Sequence, residues 1–569
     1  MKKHLFTFAL ALLSALPAAA ADDAVLKAMT DEMRRTVQRL RMDNLAKPYF
    51  VSYYVEDSTE TSISAVFGAL RDDNSGISRN ARVDLRVGTP GFDNSGYAGQ
   101  DFRGYEPGSA MLNEEDGYDA IRFSLWSLTD DVYKRALENY SQKKAYQAKK
   151  NITEHYGDLA EAESASLFED RKTPEPFDAE EWRGRIKNLS GLFRKYPKVQ
   201  NSQVGFNRTL RTARFVSSGG ASYRRWWDGV SLNVRATVQD RTGLKIGDEK
   251  DFSWPSLAAV PPYEKLAAQV EEFARNMSSL VENVTPEVYL GPVLFEDQAA
   301  AEFLNQLFVA NVSFPRTPWA ERDDYTRYYI ASGGLTKKLG MRVLPAFMGA
   351  IDDPLRTEYN GEALTGSYPI DNEGVRPAPL ELVRGGKLVN FYTGRAPVKE
   401  FRSSNGHARG AVNEFPEPRP GSVFFSAQPA RRAPYAELKK KLLQAASENG
   451  LEYAVIVRRL DPETSKDYSE LLSEPVLAYK VNVKDGSELV LGAAKWAGVT
   501  FRALRDILLV SSTDQVYNYY QPGPFYYNRG YVPASLVAPS ALLVQEMELK
   551  PTDTKPDRKP YLPHPYFAK

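Results

Sequence analysis

Apolar positions along the chain alternate between two periods, and each period predicts an element. In "DAVLKAMTDEMRRTVQRLRM" residues Leu26, Met29, Met33, Val37 and Leu40 share one face at helical spacing. "KPYFVSYYVEDSTETSISAVFGAL" and "ARVDLRVGTPGFDNSGY" instead alternate as strands do, the second running into a Gly-rich loop. A long helix follows from Asp119 to about Lys150, with Thr129 placed to cap its second half and lysines toward its end, where the helix dipole favours them. That basic end, Lys143 to Lys150, reads as a solvated face.

Residues 157 to 180 are acidic and loop-like, and a helix then runs through Leu192. "TARFVSSGGASYRRWWDGVSLNVRATVQDRTG" reads as hairpins turning at Gly219-Gly220 and at Asp228-Gly229, with Trp226 and Trp227 as half-buried strand residues. "PPYEKLAAQVEEFARNMSSLVENV" is an amphipathic helix, and Pro286 marks the expected domain boundary. Beyond it, Gly385-Gly386 and Asp485-Gly486 predict hairpin turns, and "PYAELKKKLLQAASENG" a helix stopped by Gly450. The expected layout is a leader over 1–20, an α+β unit over 21–285, a β-rich unit over 286–550 and a Pro-rich tail over 551–569. A Tyr/Pro/Gly stretch at 516–533 has no role assigned from sequence.

Composition narrows the class. At 569 residues the chain is too long for one core, and 42% hydrophobic with 26% charged residues is ordinary for a globular protein. Lysine plus arginine equals aspartate plus glutamate at 73 each, so no nucleic-acid footprint follows. The start "MKKHLFTFALALLSALPAAAADD" joins a basic end, an apolar run from Leu5 to Leu16 and small residues at Ala18 to Ala21. It reads as a secretory signal, and the expected home is a bacterial periplasm, with no membrane span after cleavage. The chain has no Cys, so neither a disulfide nor a thiolate ligand is available.

The candidate chemistry centres on "YLGPVLFEDQAAAEFLNQLFVANV", residues 289 to 312, a strand passing into a helix with Glu296 and Asp297 at the junction. A helical zinc motif needs two ligands from one helix end and a carboxylate between them. Counting from Glu296, the next positions for a ligand are Ala300 and Ala301, which offer no lone pair. An all-oxygen set of Asp297 and Glu302 lies about 140° apart around the helix. Phe303, Leu304, Leu307 and Phe308 form an apolar stripe, so the helix is expected to be buried, with Glu296 at a solvated start where its loss costs about 0.5–1 kcal/mol. Beyond the leader, His155, His407 and His564 are widely separated. "SSNGHARG" places Ser404, Asn405, His407 and Arg409 around a tight turn, either as a substrate-facing loop or as turn chemistry with solvated side chains. Asp352, Asp353, Asp371 and Glu373 read as turn and capping acids.

These segments, in this order, resemble the TldD/PmbA family. "VLFEDQAAA" stands where TldD-type members carry V-L-x-H-E-x-x-x-H. "GAIDDPLRTEYNGEALTGSYPIDNEGVRPAPLELVRGGKLVNFYTGR", "SSNGHARG", "VNVKDGSELVLGAA" and "VAPSALLVQEMEL" are similar to its later stretches. The resemblance implies a two-domain α+β fold with largely antiparallel sheets, and subunits that pair around a chamber admitting unfolded peptides. In TldD-type members zinc is held by the two motif histidines and a downstream Cys, whereas PmbA-type members lack the motif and partner an active subunit. Carried onto this chain, the first histidine falls on Glu296, the motif glutamate on Asp297 and the second histidine on Ala301. The resemblance therefore implies a peptide-binding subunit without catalysis or cofactor, partnering an active homologue or itself as a homo- or hetero-dimer. The alternatives are a peptidase using Glu296, Asp297 and Glu302 as replaced ligands, and a periplasmic binding or assembly module.

Overall fold

The computed structural model describes residues 23–42, 44–99, 107–170, 173–322, 324, 333–462, 470–523, 530–556 and 565–567. The expected leader, His564 and residues 524–529 of the Tyr/Pro/Gly stretch lie outside the described residues. Among the described residues no helix is long and apolar enough to cross a membrane.

The N-terminal half is built on one twisted eight-stranded sheet. Its main strands are β1 (Pro48–Val66), β2 (Ala69–Thr89), β3 (Val199–Ser217), β4 (Ser222–Gln239) and β5 (Lys245–Trp254), in spatial order β2-β1-β3-β4-β5 with every neighbour antiparallel. Two very long hairpins dominate, the first turning at Phe67-Gly68, where both residues take positive φ of 51° and 86°. Strand alternation buries one face. Val51, Tyr53, Val55, Val83 and Leu85 pack under helices α1 (Ala24–Arg39) and α2 (Tyr118–Lys150). Further along the same sheet Phe206, Leu232 and Val234 pack under α3 (Ala179–Gly191) and α4 (Tyr263–Ser279). On the opposite face, Tyr54, Phe215 and Tyr223 meet Ile370 of the C-terminal half.

The C-terminal half is layered. One mixed sheet holds β6 (Tyr289–Glu296), β10 (Tyr453–Leu460), β11 (Pro475–Asn482), β12 (Ile507–Ser511) and β15 (Ala541–Pro551), in order β12-β15-β6-β10-β11. A second holds β7 (Met348–Asp352), β8 (Leu380–Arg384), β9 (Ser422–Ala427), β13 (Asp514–Pro522) and β14 (Tyr531–Pro539), in order β8-β7-β9-β14-β13. Helix α5 (Asp297–Leu307) lies between them, and every residue from Ala299 to Leu307 is buried. Helix α6 (Tyr435–Glu448) covers the outer face of the first sheet through Leu438, Leu442 and Ala446.

Most turn signals hold: Gly219-Gly220, Gly385-Gly386 and Asp485-Gly486 each connect antiparallel strands. Asp228-Gly229 does not turn, because both lie within β4. The ring of Trp227 folds over Gly229, where an added Cβ would meet it at 1.8 Å, so the glycine makes room for an aromatic ring. Lys143 is also corrected. It is fully buried, donating to Asp158 at 2.7 Å and to the Ser95 carbonyl, with Phe92 and Trp319 rings beside it.

Candidate functional site: the strand–helix junction of residues 289–307

Strand β6 lies between β15, antiparallel, and β10, parallel, so its apolar run Val293-Leu294-Phe295 is buried on both faces. At its end the backbone changes hand sharply. Glu296 is extended (φ −124°), and Asp297 follows at φ +47°, a left-handed conformation unusual for a residue with a Cβ. The strained residue is tied at both ends. Its N–H donates to the Ser540 carbonyl at 2.8 Å, and its carbonyl accepts from Gln515 Nε2 at 2.6 Å.

The junction places its two acids differently. Glu296 is 6% exposed and both its oxygens are engaged: Oε1 accepts from the Tyr435 hydroxyl, and Oε2 from Arg458 Nε at 2.9 Å. Arg458 continues to Glu488 at 2.9 Å, which also accepts from Lys439 at 2.5 Å, and its guanidinium lies 4.2 Å over the Tyr479 ring. Burial pushes the Glu296 carboxyl above its ordinary value, against the opposing pull of Tyr435 and Arg458. The expectation of a solvated Glu296 is thus corrected: the acid ends a strand inside the protein and is neutralised by a residue of the neighbouring strand. Asp297 is the exposed acid. Partial desolvation and the Glu272 carboxylate of α4 raise its pKa, with Arg458 and Lys250 opposing. Asp297 therefore lies at an exposed position whose charged neighbours come from both halves of the molecule.

The remaining donors of a replaced metal set point elsewhere. Glu302 is 1% exposed and accepts from Tyr517 at 2.6 Å and Gln306 at 2.9 Å. Gln306 in turn holds the Asp461 carbonyl and Ser473. Ala300 and Ala301 are fully buried in the core. Among the described residues no group of three or more His, Cys, Asp or Glu is placed to hold a metal ion.

The turn around 404–409 is knitted into the protein interior. His407 is fully buried, its Nδ1 3.0 Å from the Asn405 carbonyl and its Nε2 3.8 Å from Asp352. Arg409 donates to the Pro420 carbonyl at 2.5 Å and lies over the Tyr368 ring at 4.5 Å; burial pushes its pKa down to about 10. Asn405 pins Thr393 and the Phe391 carbonyl, and Ser404 accepts from Gly406 N. None of these residues bonds to the strand–helix junction; His407 is fully buried and Arg409 nearly so, while Ser404 and Asn405 are half-buried. Of the acids expected to serve turns, Asp371 accepts from Glu373 N and Val375 N and Asp353 from Leu355 N, whereas Asp352 and Glu373 are corrected: they tie distant segments, Asp352 accepting from Gly421 N and Ser422 N and Glu373 from Arg395 N. Tyr435, Arg458, Tyr517, Lys250 and Glu272 were not singled out from sequence. The one signal was Arg458-Arg459, two charges ending an otherwise apolar strand.

Comparison with known proteins fits this layout. Residues 288–550 match the PmbA/TldA metallopeptidase C-terminal domain. By its C-terminal domain the chain belongs to the TldD/PmbA family. Its fold is similar to that of a candidate modulator of a DNA gyrase from Thermotoga maritima, with a TM-score of 0.57 at 15% identity over 88% of this chain and 96% of that one. It is also similar to TldE from Thermococcus kodakarensis, with a TM-score of 0.56 at 13% identity over 92% and 99%. A third similar structure, a candidate modulator of DNA gyrase from Bacteroides thetaiotaomicron, gives 0.54 at 9% identity over 92% and 98%. No curated protein matches the chain.

For a TldD/PmbA-family protein the obvious test is whether this junction fits zinc, and the residues do not fit. The carboxylate at the first motif position is bonded to a guanidinium, the second position is a core alanine, and Glu302 is turned toward Tyr517. A cation entering here would have to displace Arg458 and would find too few lone pairs.

Proposed function

We propose that this chain is a non-catalytic member of the TldD/PmbA family that binds unfolded peptide segments at the exposed surface around Asp297. It partners a histidine-bearing homologue or a second copy of itself, and it is exported to the periplasm. The observation that carries this reading is the occupation of both Glu296 oxygens by Tyr435 and Arg458, with Ala301 where a second ligand would stand. An internal cation replaces the metal, so the junction keeps its shape without the means to polarise a carbonyl. What remains at the junction is an exposed, strained acid near Lys250 and Gln515, suited to holding a peptide's polar backbone.

The test combines hydrolysis and association. Purified full-length protein is incubated with an unfolded peptide pool, with and without chelator, and is separately mixed with a histidine-bearing homologue. The reading expects peptide binding without cleavage in either buffer, and co-elution with the homologue or as a self-dimer. Chelator-sensitive cleavage would instead establish a peptidase with replaced ligands. A monomer without peptide affinity would point to an assembly module.

A further inference from the structure

A polar cavity, not lined by Asp297, lies between the N-terminal sheet and the loops of the C-terminal half. Its volume is about 120 Å³, and its lining includes Phe50, Arg82, Asp84, Glu373 and Arg395. A single water needs about 10–15 Å³ of such space, so the cavity has room for a molecule of amino-acid size.

The charges around it are unequally satisfied. Arg86 is fully used, bonding Asp84, Ser95 and the Asp158 carbonyl. Arg82 and Arg395 are not. Among the described residues Arg82, 4% exposed, donates through Nη1 alone, to the carbonyls of Ala411 and Glu414. Arg395, 9% exposed, donates through Nε and Nη2 to the Ala160 carbonyl. The Nη2 of Arg82 and the Nη1 of Arg395 meet no acceptor among the described residues and neither is sealed against protein, and both arginines line the cavity. Each guanidinium is held flat by a ring, Arg82 over Tyr54 at 4.7 Å and Arg395 over Phe50 at 5.2 Å. Glu373 supplies the opposite charge. Its Oε2 accepts from Arg395 N at 2.7 Å, and its Oε1 has no donor among the described residues.

Two braced cationic donors and one free carboxylate oxygen around an amino-acid-sized space match the two ends of a zwitterion. We infer that this cavity is a binding site for a free amino acid, with Arg82 and Arg395 receiving its α-carboxylate and Glu373 its α-ammonium. Charge-assisted bonds to buried partners are the strong ones, and each group here has a bond still to make. Burial pushes Glu373 up and Arg395 down from their ordinary pKa values, both costs that a ligand bearing the complementary charges relieves. The apolar neighbours Val132, Leu159 and Phe415 leave the side-chain end greasy.

The test titrates the full-length protein with each of the twenty protein amino acids, and with acetate, ammonium and phosphate separately, by calorimetry. One or more amino acids should bind one to one. Arg395→Gln and Glu373→Gln should each weaken that binding by about tenfold or more. Asn139→Phe, which fills the cavity from the α2 side without altering its charges, should abolish binding and keeps the test decisive if Arg395→Gln fails to fold. No amino-acid binding up to about 10 mM, binding that survives Glu373→Gln and Asn139→Phe, or acetate or phosphate binding as tightly as any amino acid would each overturn the assignment.

Discussion

Arg458 explains why Glu296 could not be understood from its own surroundings in the sequence: the two residues are 162 positions apart and meet only because β6 and β10 run side by side. A carboxylate read locally looked like a solvated helix start. In the folded protein its loss strips Arg458 and Tyr435 of an acceptor at once. Glu296→Ala should cost about 2 kcal/mol in urea unfolding, below the range for a fully buried pair because Arg458 is partly solvated and keeps Glu488. A cost under 1 kcal/mol would mean the network is slack. A second residue-scale test uses pH. Burial and the nearby Asp248 and Glu474 push the Asp461 carboxyl from 3.8 up to about 6. A carboxyl raised in the folded state holds its proton more tightly there than in the unfolded chain. Its contribution therefore favours folding below pH 3.8 and is lost as pH rises through about 6. Asp461→Asn should make the protein about 1–2 kcal/mol more stable at pH 7, and flatten the stability profile between pH 4 and 7. Equal melts of the two proteins at pH 7 would contradict it.

Helix α5 shows what periodicity can and cannot tell at the scale of an element. The stripe of Phe303, Leu304, Leu307 and Phe308 marked it as buried, and it is. That it is buried on every side was not legible, because the second sheet covering it is assembled from strands between residues 348 and 539. The same limit applied to Lys143, whose partner Asp158 lies on a loop that helical spacing does not address. Restoring a histidine at the second motif position should therefore fail as packing before it can succeed as chemistry. Ala301→His places a polar ring at a fully buried site and should destabilise by about 3 kcal/mol, read by thermal unfolding. At the other end of the helix the backbone of Asp297 asks for glycine. Asp297→Gly should stabilise the protein by about 1 kcal/mol while weakening peptide binding, whereas a destabilised variant would show that the side chain, not the strain, governs the position.

At the scale of the whole molecule, the family resemblance and the α+β layout were readable from ordered segments, while the joint between the halves was not. It is made by residues with no shared motif. Arg459 pairs with Asp248 at 2.6 Å, both nearly buried. Tyr97-Ala98 pairs in parallel with Trp319-Ala320, and Arg82 reaches the carbonyls of Ala411 and Glu414. Asp248→Asn should cost about 3 kcal/mol, because it leaves a buried guanidinium uncompensated, and should loosen the two halves together in hydrogen exchange. Protection lost on one side alone would argue that the halves are energetically independent.

At the β6–α5 junction a protein cation, Arg458, stands in place of a metal. The most direct measurement is the zinc content of the purified full-length chain after equilibration with excess zinc and dialysis, for the native sequence and for Glu296→Gln. The expected result is far less than one zinc per chain in both. One zinc retained per native chain and lost in Glu296→Gln would contradict it.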